Sequence, residues 1–221
     1  MRKVLVSQRL DTIEAYGEVR ESLDIRWGEL LPACGVIPVP CPSKFPPEQF
    51  FRAINPQGLL LTGGNDTLQF APDDSLSRLR QMHEFALLEL ALSRKLPIMG
   101  VCHGMQIIAE YFNFTMQRID KHVAIDHPIS IEASSFLSRF LGKESVVNSF
   151  HNNGIVALNP QFTASARHTG DQTIEAFESL EHNIIGIMWH PERNKAYRES
   201  DIKLIHNFFT NVSDKWELST P

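Results

Sequence analysis

Apolar residues follow two rhythms along this chain. In the first half, short unbroken apolar runs alternate with stretches in which apolar positions recur every three or four residues. "KVLVSQ" (Lys3–Gln8), the "GLLLT" of "GLLLTGGND" and "PIMGV" are runs of the first kind and predict buried strands; "VIPVP" is strand-like but broken by proline. Between them, Leu23, Trp27, Leu30 and Leu31 of "RESLDIRWGELLPACG" keep helical spacing, with Gly35 as a stop. "PPEQFFRAI" opens on proline, as a short helix can. Asp74 or Ser75 caps a predicted long helix to Lys95, with Leu76, Leu79, Met82, His83, Ala86, Leu87 and Leu90 on one face. "HGMQIIAEYF" is helical. Strands alternating with helices up to Phe112 predict an α/β fold with a parallel sheet covered on both faces.

Beyond Phe112 the rhythm changes. "FTMQRI", "VAIDHPISI", "SVVNSF", "TASARH", "TIEAFES" and "IIGIMWH" are β-rich with little helix between them, which predicts antiparallel strands added to the parallel half. "SDIKLIHNFFTNV" reads as a closing amphipathic helix capped by Ser200, with Phe208 and Phe209 packing inward. No repeat, low-complexity tract or Gly/Ser linker divides the chain, so one domain over residues 1–221 is expected.

Composition narrows the functional classes. With 43% hydrophobic and 21% charged residues the chain is globular rather than disordered. A net charge of −5 gives no reason to expect nucleic-acid binding. The apolar run in "MRKVLVSQRL" is too short for a signal peptide or anchor, and no later window is long enough to span a bilayer. Three sparse cysteines, Cys34, Cys41 and Cys102, suit free thiols in a cytoplasmic setting. The expected partner is a small molecule; a homo-oligomer is compatible with the chain but not readable from it.

Candidate chemistry gathers at three places. In "LPIMGVCHGMQIIAEYF", Cys102 stands where a buried strand turns into a helix, flanked by Gly100 and Gly104. Gly-x-Cys-x-Gly is the cysteine form of a nucleophile elbow, and a helix N-terminus favours a thiolate. The plainer alternative is a small buried hydrophobe. In "IIGIMWHPE" a strand expected to end at Trp189 is followed by His190 and Glu192. On extended backbone residues two apart point the same way, so the carboxylate can fix the imidazole tautomer. Alternatives are a surface His-Pro turn and a zinc His-x-Glu site; the latter lacks the Pro-Cys-x-x-Cys it should accompany. Finally, Gly63-Gly64 in "LTGGND" follow a buried strand, and backbone N–H groups exposed at that turn could bind a developing oxyanion, with the N–H of His103 as second donor; the alternative is an ordinary glycine turn.

"LTGGND", "MGVCHGMQ", "VNSFHNNG" and "MWHPE", in this order over nearly the whole chain, resemble the class I glutamine amidotransferase superfamily. Within it the chain is most similar to the free-standing γ-glutamyl hydrolases, a branch also supported by "QRLD" near the N-terminus. The resemblance implies a flavodoxin-like, mostly parallel sheet flanked by helices, with antiparallel strands in the C-terminal half. It implies Cys102 as nucleophile, His190 as general base and acid, Glu192 as orienter, and Gly64 and His103 as oxyanion donors. It places Gln106 against the glutamyl portion of a substrate and Asn148, Ser149, Phe150 and His151 in a loop over it. Relatives commonly carry His-x-Gln there; here His151 is followed by Asn152 and Asn153, which leaves the role of Asn153 open. The reaction so implied hydrolyses a γ-glutamyl amide through a thioester and releases glutamate, with no cofactor and no metal.

Motifs describe only the glutamyl half of the substrate. Overall similarity points to the capsule-biosynthesis branch acting on γ-glutamyl-CDP-amidate; γ-glutamyl amines such as γ-glutamyl-γ-aminobutyrate, or glutamine hydrolysed for a separate synthetase, are the alternatives. Arg193, Lys195 and Arg198 follow His190-Pro191-Glu192 in a chain of net charge −5, so Arg193, Lys195 or Arg198 is a candidate contact for an anionic leaving group, against the alternative of a solvated turn. Cys34 and Cys41 are expected to be unreactive. His122 and His127 are expected to be structural, since their spacing is unlike a metal motif.

Overall fold

The computed structural model describes residues 1–210. Chain order is β1 (Arg2–Val6), β2 (Arg9–Ile13), β3 (Glu18–Ser22), α1 (Trp27–Ala33), β4 (Val36–Pro40), α2 (Pro47–Ile54), β5 (Leu59–Leu61), α3 (Ser75–Ser93), β6 (Ile98–Val101), α4 (His103–Tyr111), β7 (Thr115–Arg118), β8 (Val123–Ile131), α5 (Ser138–Leu141), β9 (Glu144–Phe150), β10 (Asn153–Ala157), β11 (Thr163–His168), β12 (Ile174–Ser179), β13 (Ile184–Ile187) and α6 (Glu199–Thr210). One large sheet runs β4-β1-β5-β6-β13-β12-β11-β8-β9, and β10 bridges β12 and β7. β4, β1, β5, β6 and β13 pair in parallel; the pairs beyond β13 are antiparallel. This is the α/β sheet with antiparallel additions that the change of rhythm at Phe112 predicts.

The short apolar runs feed two cores because successive strand side chains point to opposite faces. Val4, Val6, Leu60, Met99 and Val101 join Trp27, Leu30, Leu204 and Phe208 under α1 and α6. Leu5, Leu59, Leu61 and Ile98 join Phe51, Leu87, Leu88 and Ile108 under α2, α3 and α4. With both faces covered, residues beyond the carboxyl ends of β5, β6 and β13 share one rim, where ligands of such sheets bind.

Several expectations change. The helix foreseen from Leu23 starts only at Trp27, and β2 and β3 form a separate two-stranded hairpin before it. Asp74 does cap α3, accepting from the Ser77 N–H at 2.9 Å, but the foreseen apolar face is buried only in part, at His83 and Leu87. Met82 is exposed, while Ser77, Arg80, Gln81 and Glu84 are buried. β13 stops at Ile187, before Trp189. Ser200 is not a cap, since α6 starts at Glu199; residues 211 and 212 of the helix foreseen there lie outside the described residues. No helix among the described residues is long and apolar enough to cross a membrane.

Candidate active site

β6 delivers Cys102 to the rim. The residue has φ 52° and ψ −108°, and α4 starts immediately after it. A non-glycine residue at positive φ is strained by roughly 1–3 kcal/mol, a cost tolerated where neighbours over-determine the turn. The neighbours here are the flanking glycines. A Cβ on Gly100 would meet the Gly104 carbonyl oxygen at 2.6 Å, and one on Gly104 would collide with the Leu61 carbonyl of β5. Only glycine lets strand, turn and helix approach this closely. Cys102 retains 8% exposure at the helix N-terminus. Cys34 and Cys41 are buried, and burial pushes both thiols up to about 12, so neither is a nucleophile at neutral pH.

The chain leaving β13 brings His190 to the same rim. His190 Nδ1 lies 2.7 Å from Glu192 Oε1. The geometry is not the expected extended i, i+2 pair: His190 is extended, but Pro191–Arg193 form a 3₁₀ turn that swings Glu192 back towards the ring. A Cβ on Gly63 would meet His190 Cε1 at 2.7 Å, so the first glycine of "LTGGND" is what admits the imidazole. His190 Nε2 has no fixed partner. Burial pushes the His190 pKa down, but the Cys102 sulfur and the Glu192 carboxylate outweigh it and raise the value to about 9. The arrangement can therefore hold a proton on His190 beside a thiolate, or pass it through Nε2.

Gly64 has φ +144°, a conformation that favours glycine. The loop it belongs to is held by a buried ion network that the sequence reading missed. Arg80 Nη2 donates to the Thr62 carbonyl at 2.8 Å, and Nη1 to the Gly63 carbonyl at 3.2 Å and to Asn65 Oδ1 at 3.3 Å. Its other partner is Glu84 at 3.0 Å, and Glu84 reaches His103 Nε2 at 2.9 Å. Despite complete burial, which alone would raise it, Glu84 is held down at about 2 by the Arg80 charge and by His103. Burial and Arg80 push His103 down in turn. One network thus spans the Gly63-Gly64 loop and the first residue of α4, the two proposed sources of oxyanion N–H groups. The visible signal was Arg80-x-x-x-Glu84, an i, i+4 pair on one helix face. Asn65 fastens the hairpin as well: Oδ1 accepts from the Leu10 N–H at 3.0 Å and Nδ2 donates to the Leu10 carbonyl at 2.9 Å.

The remaining candidates divide. The Asn148 amide is committed to His190, donating to its carbonyl and accepting from its N–H, each at 2.8 Å. Phe150 packs edge-on to the His190 ring, 5.7 Å between centroids, and carries the Arg193 guanidinium 4.5 Å from its own centroid. Gln106 is buried and donates to the Asn153 carbonyl at 3.0 Å, while Asn153 Nδ2 donates to Asp66 Oδ1 at 3.0 Å. Ser149 is fully buried with its hydroxyl on the His122 carbonyl. The His151 ring does not overhang the site; it turns inward, 3.5 Å from Glu175. His122 and His127, remote from any metal motif in sequence, lie beside it.

A pocket of about 240 Å³ opens beside the candidate triad, lined by Gly63, Gly64, Glu192 and Arg193 on one side and by Arg9 and Trp27 on the other. Of the foreseen cations only Arg193 reaches it. Lys195 is exposed and lines no part of it. Arg198 is spent on β9, donating to the Val146 carbonyl at 2.7 Å and Ser145 Oγ at 2.6 Å. Arg9, unforeseen, comes from the hairpin.

Comparisons with known proteins give the chain a family and its fold close relatives. The family model described as Peptidase C26 matches residues 6–192. The chain is 31% identical over 212 residues to the γ-glutamyl-CDP-amidate hydrolase of Campylobacter jejuni, covering 95% of this chain and 98% of that protein. It is 23% identical over 225 residues to the γ-glutamyl-γ-aminobutyrate hydrolase of Escherichia coli K12, covering 88% and 87%. Among solved structures, a candidate GMP synthase component from Thermoplasma acidophilum superposes with a TM-score of 0.71 at 20% identity, covering 95% of this chain and 92% of that one; at that identity the likeness speaks for the fold alone.

Proposed function

The chain belongs to the peptidase C26 family, of the class I glutamine amidotransferase fold, and from that footing we propose that it is a γ-glutamyl amide hydrolase with γ-glutamyl-CDP-amidate as preferred substrate. The observation that carries the chemistry is the meeting of the Cys102 elbow with the hydrogen-bonded His190–Glu192 pair at one rim. The likeness to the Campylobacter hydrolase over both full lengths supports the substrate.

In this reading the Cys102 thiolate attacks the γ-carbonyl carbon. Charge that develops on the carbonyl oxygen is taken up by the backbone N–H groups of Gly64 and His103, a type of interaction worth about 2.7–4 kcal/mol per donor. His190, protonated at Nε2, gives that proton to the leaving nitrogen as the C–N bond breaks and a glutamyl thioester remains. His190 then takes a proton from water, which attacks the thioester, and glutamate leaves as the thiolate reforms. Glu192 keeps Nδ1 protonated throughout. Gln106 and the 148–150 stretch frame the glutamyl side from behind rather than contacting it through Ser149 or His151; Arg193 and Arg9 face the pocket that would take a diphosphate-bearing leaving group, releasing cytidine diphosphoramidate.

A substrate panel read as glutamate release tests this. The expected order of kcat/KM places γ-glutamyl-CDP-amidate above γ-glutamyl-γ-aminobutyrate and glutamine, with all three abolished in folded Cys102→Ala protein. A higher kcat/KM for a γ-glutamyl amine, or glutamine turnover only in the presence of a synthetase, would move the assignment to those alternatives. Turnover by Cys102→Ala would sink the mechanism.

A further inference from the structure

Behind the candidate site lies a second cluster that the reaction does not use. His122, just before β8, His127 within β8, His151 just after β9 and Glu175 in β12 are each at most 5% exposed. Their polar atoms are left orphaned: His122 Nδ1, both ring nitrogens of His127, His151 Nε2 and both Glu175 oxygens have no hydrogen-bond partner. Buried orphans of this density are costly unless something satisfies them.

The outer hydrogen bonds show what faces inward. His122 Nε2 lies 2.9 Å from Asp171 Oδ2, so the proton of a neutral ring sits on Nε2 and Nδ1 presents a lone pair. His151 Nδ1 lies 3.2 Å from the Asn153 carbonyl, an acceptor, so Nδ1 carries the proton and Nε2 presents a lone pair. Both lone pairs face Glu175 Oε1 at 3.5 Å, and His127 Nε2 stands 3.3 Å from Oε2. Acceptors facing acceptors need a cation between them. Protons alone fit less well. Where a histidine in this protein simply donates to a carboxylate the separation is 2.7 Å (His190–Glu192) or 2.9 Å (His103–Glu84). Two ligand atoms each about 2.0–2.1 Å from a tetrahedral zinc stand about 3.3–3.4 Å apart, the spacing seen around Glu175. Asp171 on His122 and the Asn153 carbonyl on His151 are the outer partners that metal-bound imidazoles keep.

We propose that His122, His127, His151 and Glu175 form a structural site for a divalent transition-metal ion, with zinc the ion that three imidazoles and one carboxylate suit best. One ligand atom from each of His122, His151 and Glu175 lies within 4.8 Å of the others, and His127, on the second Glu175 oxygen at 3.3 Å, is the fourth donor at its edge. The bound ion pins β8, β9 and β12 together. β9 carries Asn148, whose amide clasps the backbone of His190, and Phe150, which packs on its ring. The ion would therefore hold the frame on which the candidate base is mounted, and the site stands whether or not the substrate assignment does.

The test is metal binding by the full chain carrying Cys102→Ser, which removes the thiolate as a competing ligand. Chelator-treated protein titrated with Zn²⁺ should take up one equivalent and melt at a higher temperature. Co²⁺ should give the visible band of a tetrahedral nitrogen–oxygen site. Glu175→Gln should abolish stoichiometric uptake. Asp171→Asn, a half-exposed and nearly isosteric change checked for folding by circular dichroism, should weaken affinity about 10–100-fold. Protein that takes up neither ion at micromolar free concentration overturns the proposal. So does an affinity that Asp171→Asn leaves unchanged, or uptake that survives in folded Glu175→Gln, since either places the ion elsewhere.

Discussion

Cys102, His190 and Glu192 differ in what their environments ask of them, and their substitutions should differ accordingly. Cys102 is at a strained turn with residual exposure, whereas Cys34 and Cys41 are sealed in the core with thiols pushed up to about 12. Iodoacetamide should therefore label Cys102 first, and mass mapping that finds either other thiol ahead of it would count against the nucleophile assignment. Glu192 touches only the outer nitrogen of His190, so Glu192→Gln should retain measurable turnover where Cys102→Ala retains none. Equal and complete loss in folded protein would show that the carboxylate does more than orient. His190 also makes a prediction about stability. Its folded pKa, about 9, stands above the ordinary 6.5, so its stabilising contribution is fully present below pH 6.5 and is lost as pH rises through about 9. The urea midpoint of the wild type should fall between pH 7 and 10. In Cys102→Ala, which lacks the sulfur that raises the value, that fall should shift to lower pH; identical profiles would contradict the coupling.

At the scale of elements, the glycine turn after β5 is shaped by α3. The Arg80 guanidinium is 1% exposed and reaches the carbonyls of Thr62 and Gly63 while paired to the fully buried Glu84. Arg80→Met keeps the length of the side chain but leaves Glu84 with His103 and without its guanidinium partner, and breaking a buried ion pair this way costs about 3–5 kcal/mol. It also frees the turn that presents the Gly64 N–H. The expected result is a lower urea midpoint together with a fall in kcat larger than any change in KM; a stability loss with kcat intact would make Arg80 purely structural. This network also shows why the sequence is only partly legible. The strands and helices of the parallel half follow from apolar rhythm, and the elbow and the His-Pro-Glu turn from local motifs. Scoring apolar residues on α3 selects a face containing Met82, which is exposed, because periodicity does not recognise that Ser77, Arg80, Gln81 and Glu84 form a buried polar face satisfied by a turn from elsewhere. The β2–β3 hairpin is missed for a related reason: its strands are largely exposed, so no alternation marks them.

Across the whole molecule, folding decides which charges meet. The chain carries a net −5, and the pocket beside the candidate triad mixes both signs: Arg9 from the hairpin, paired to Asp11 at 2.8 Å, and Arg193 from the turn after β13, two segments far apart in sequence, line it together with Asp24 and Glu192. That juxtaposition could not be read from the cluster Arg193-Lys195-Arg198, because only folding separates a cation facing the pocket from one in solvent and one spent on β9. The His122–His127–His151–Glu175 cluster was hidden in the same way, its members drawn from β8, β12 and the ends of β8 and β9 with no common spacing. Arg9 already has Asp11 as its counter-ion, so Arg193 is the arginine there that a leaving group bearing a diphosphate would engage and that ammonia or a neutral amine would not. Arg193 is also the better placed of the two, held over Phe150 against the edge of the His190 ring, so it can recognise a phosphate without drifting from the scissile bond. Arg193→Gln should therefore raise KM for γ-glutamyl-CDP-amidate by an order of magnitude or more, about 1.5–3 kcal/mol for a charge-assisted hydrogen bond. Glutamine hydrolysis should change little. The gap between wild type and variant should narrow as salt screens the pocket, whereas Lys195→Gln should leave both substrates unaffected. Equal losses on both substrates would mean that Arg193 acts through Phe150 and His190 rather than on the leaving group, and the nucleotide assignment would then rest on family likeness alone.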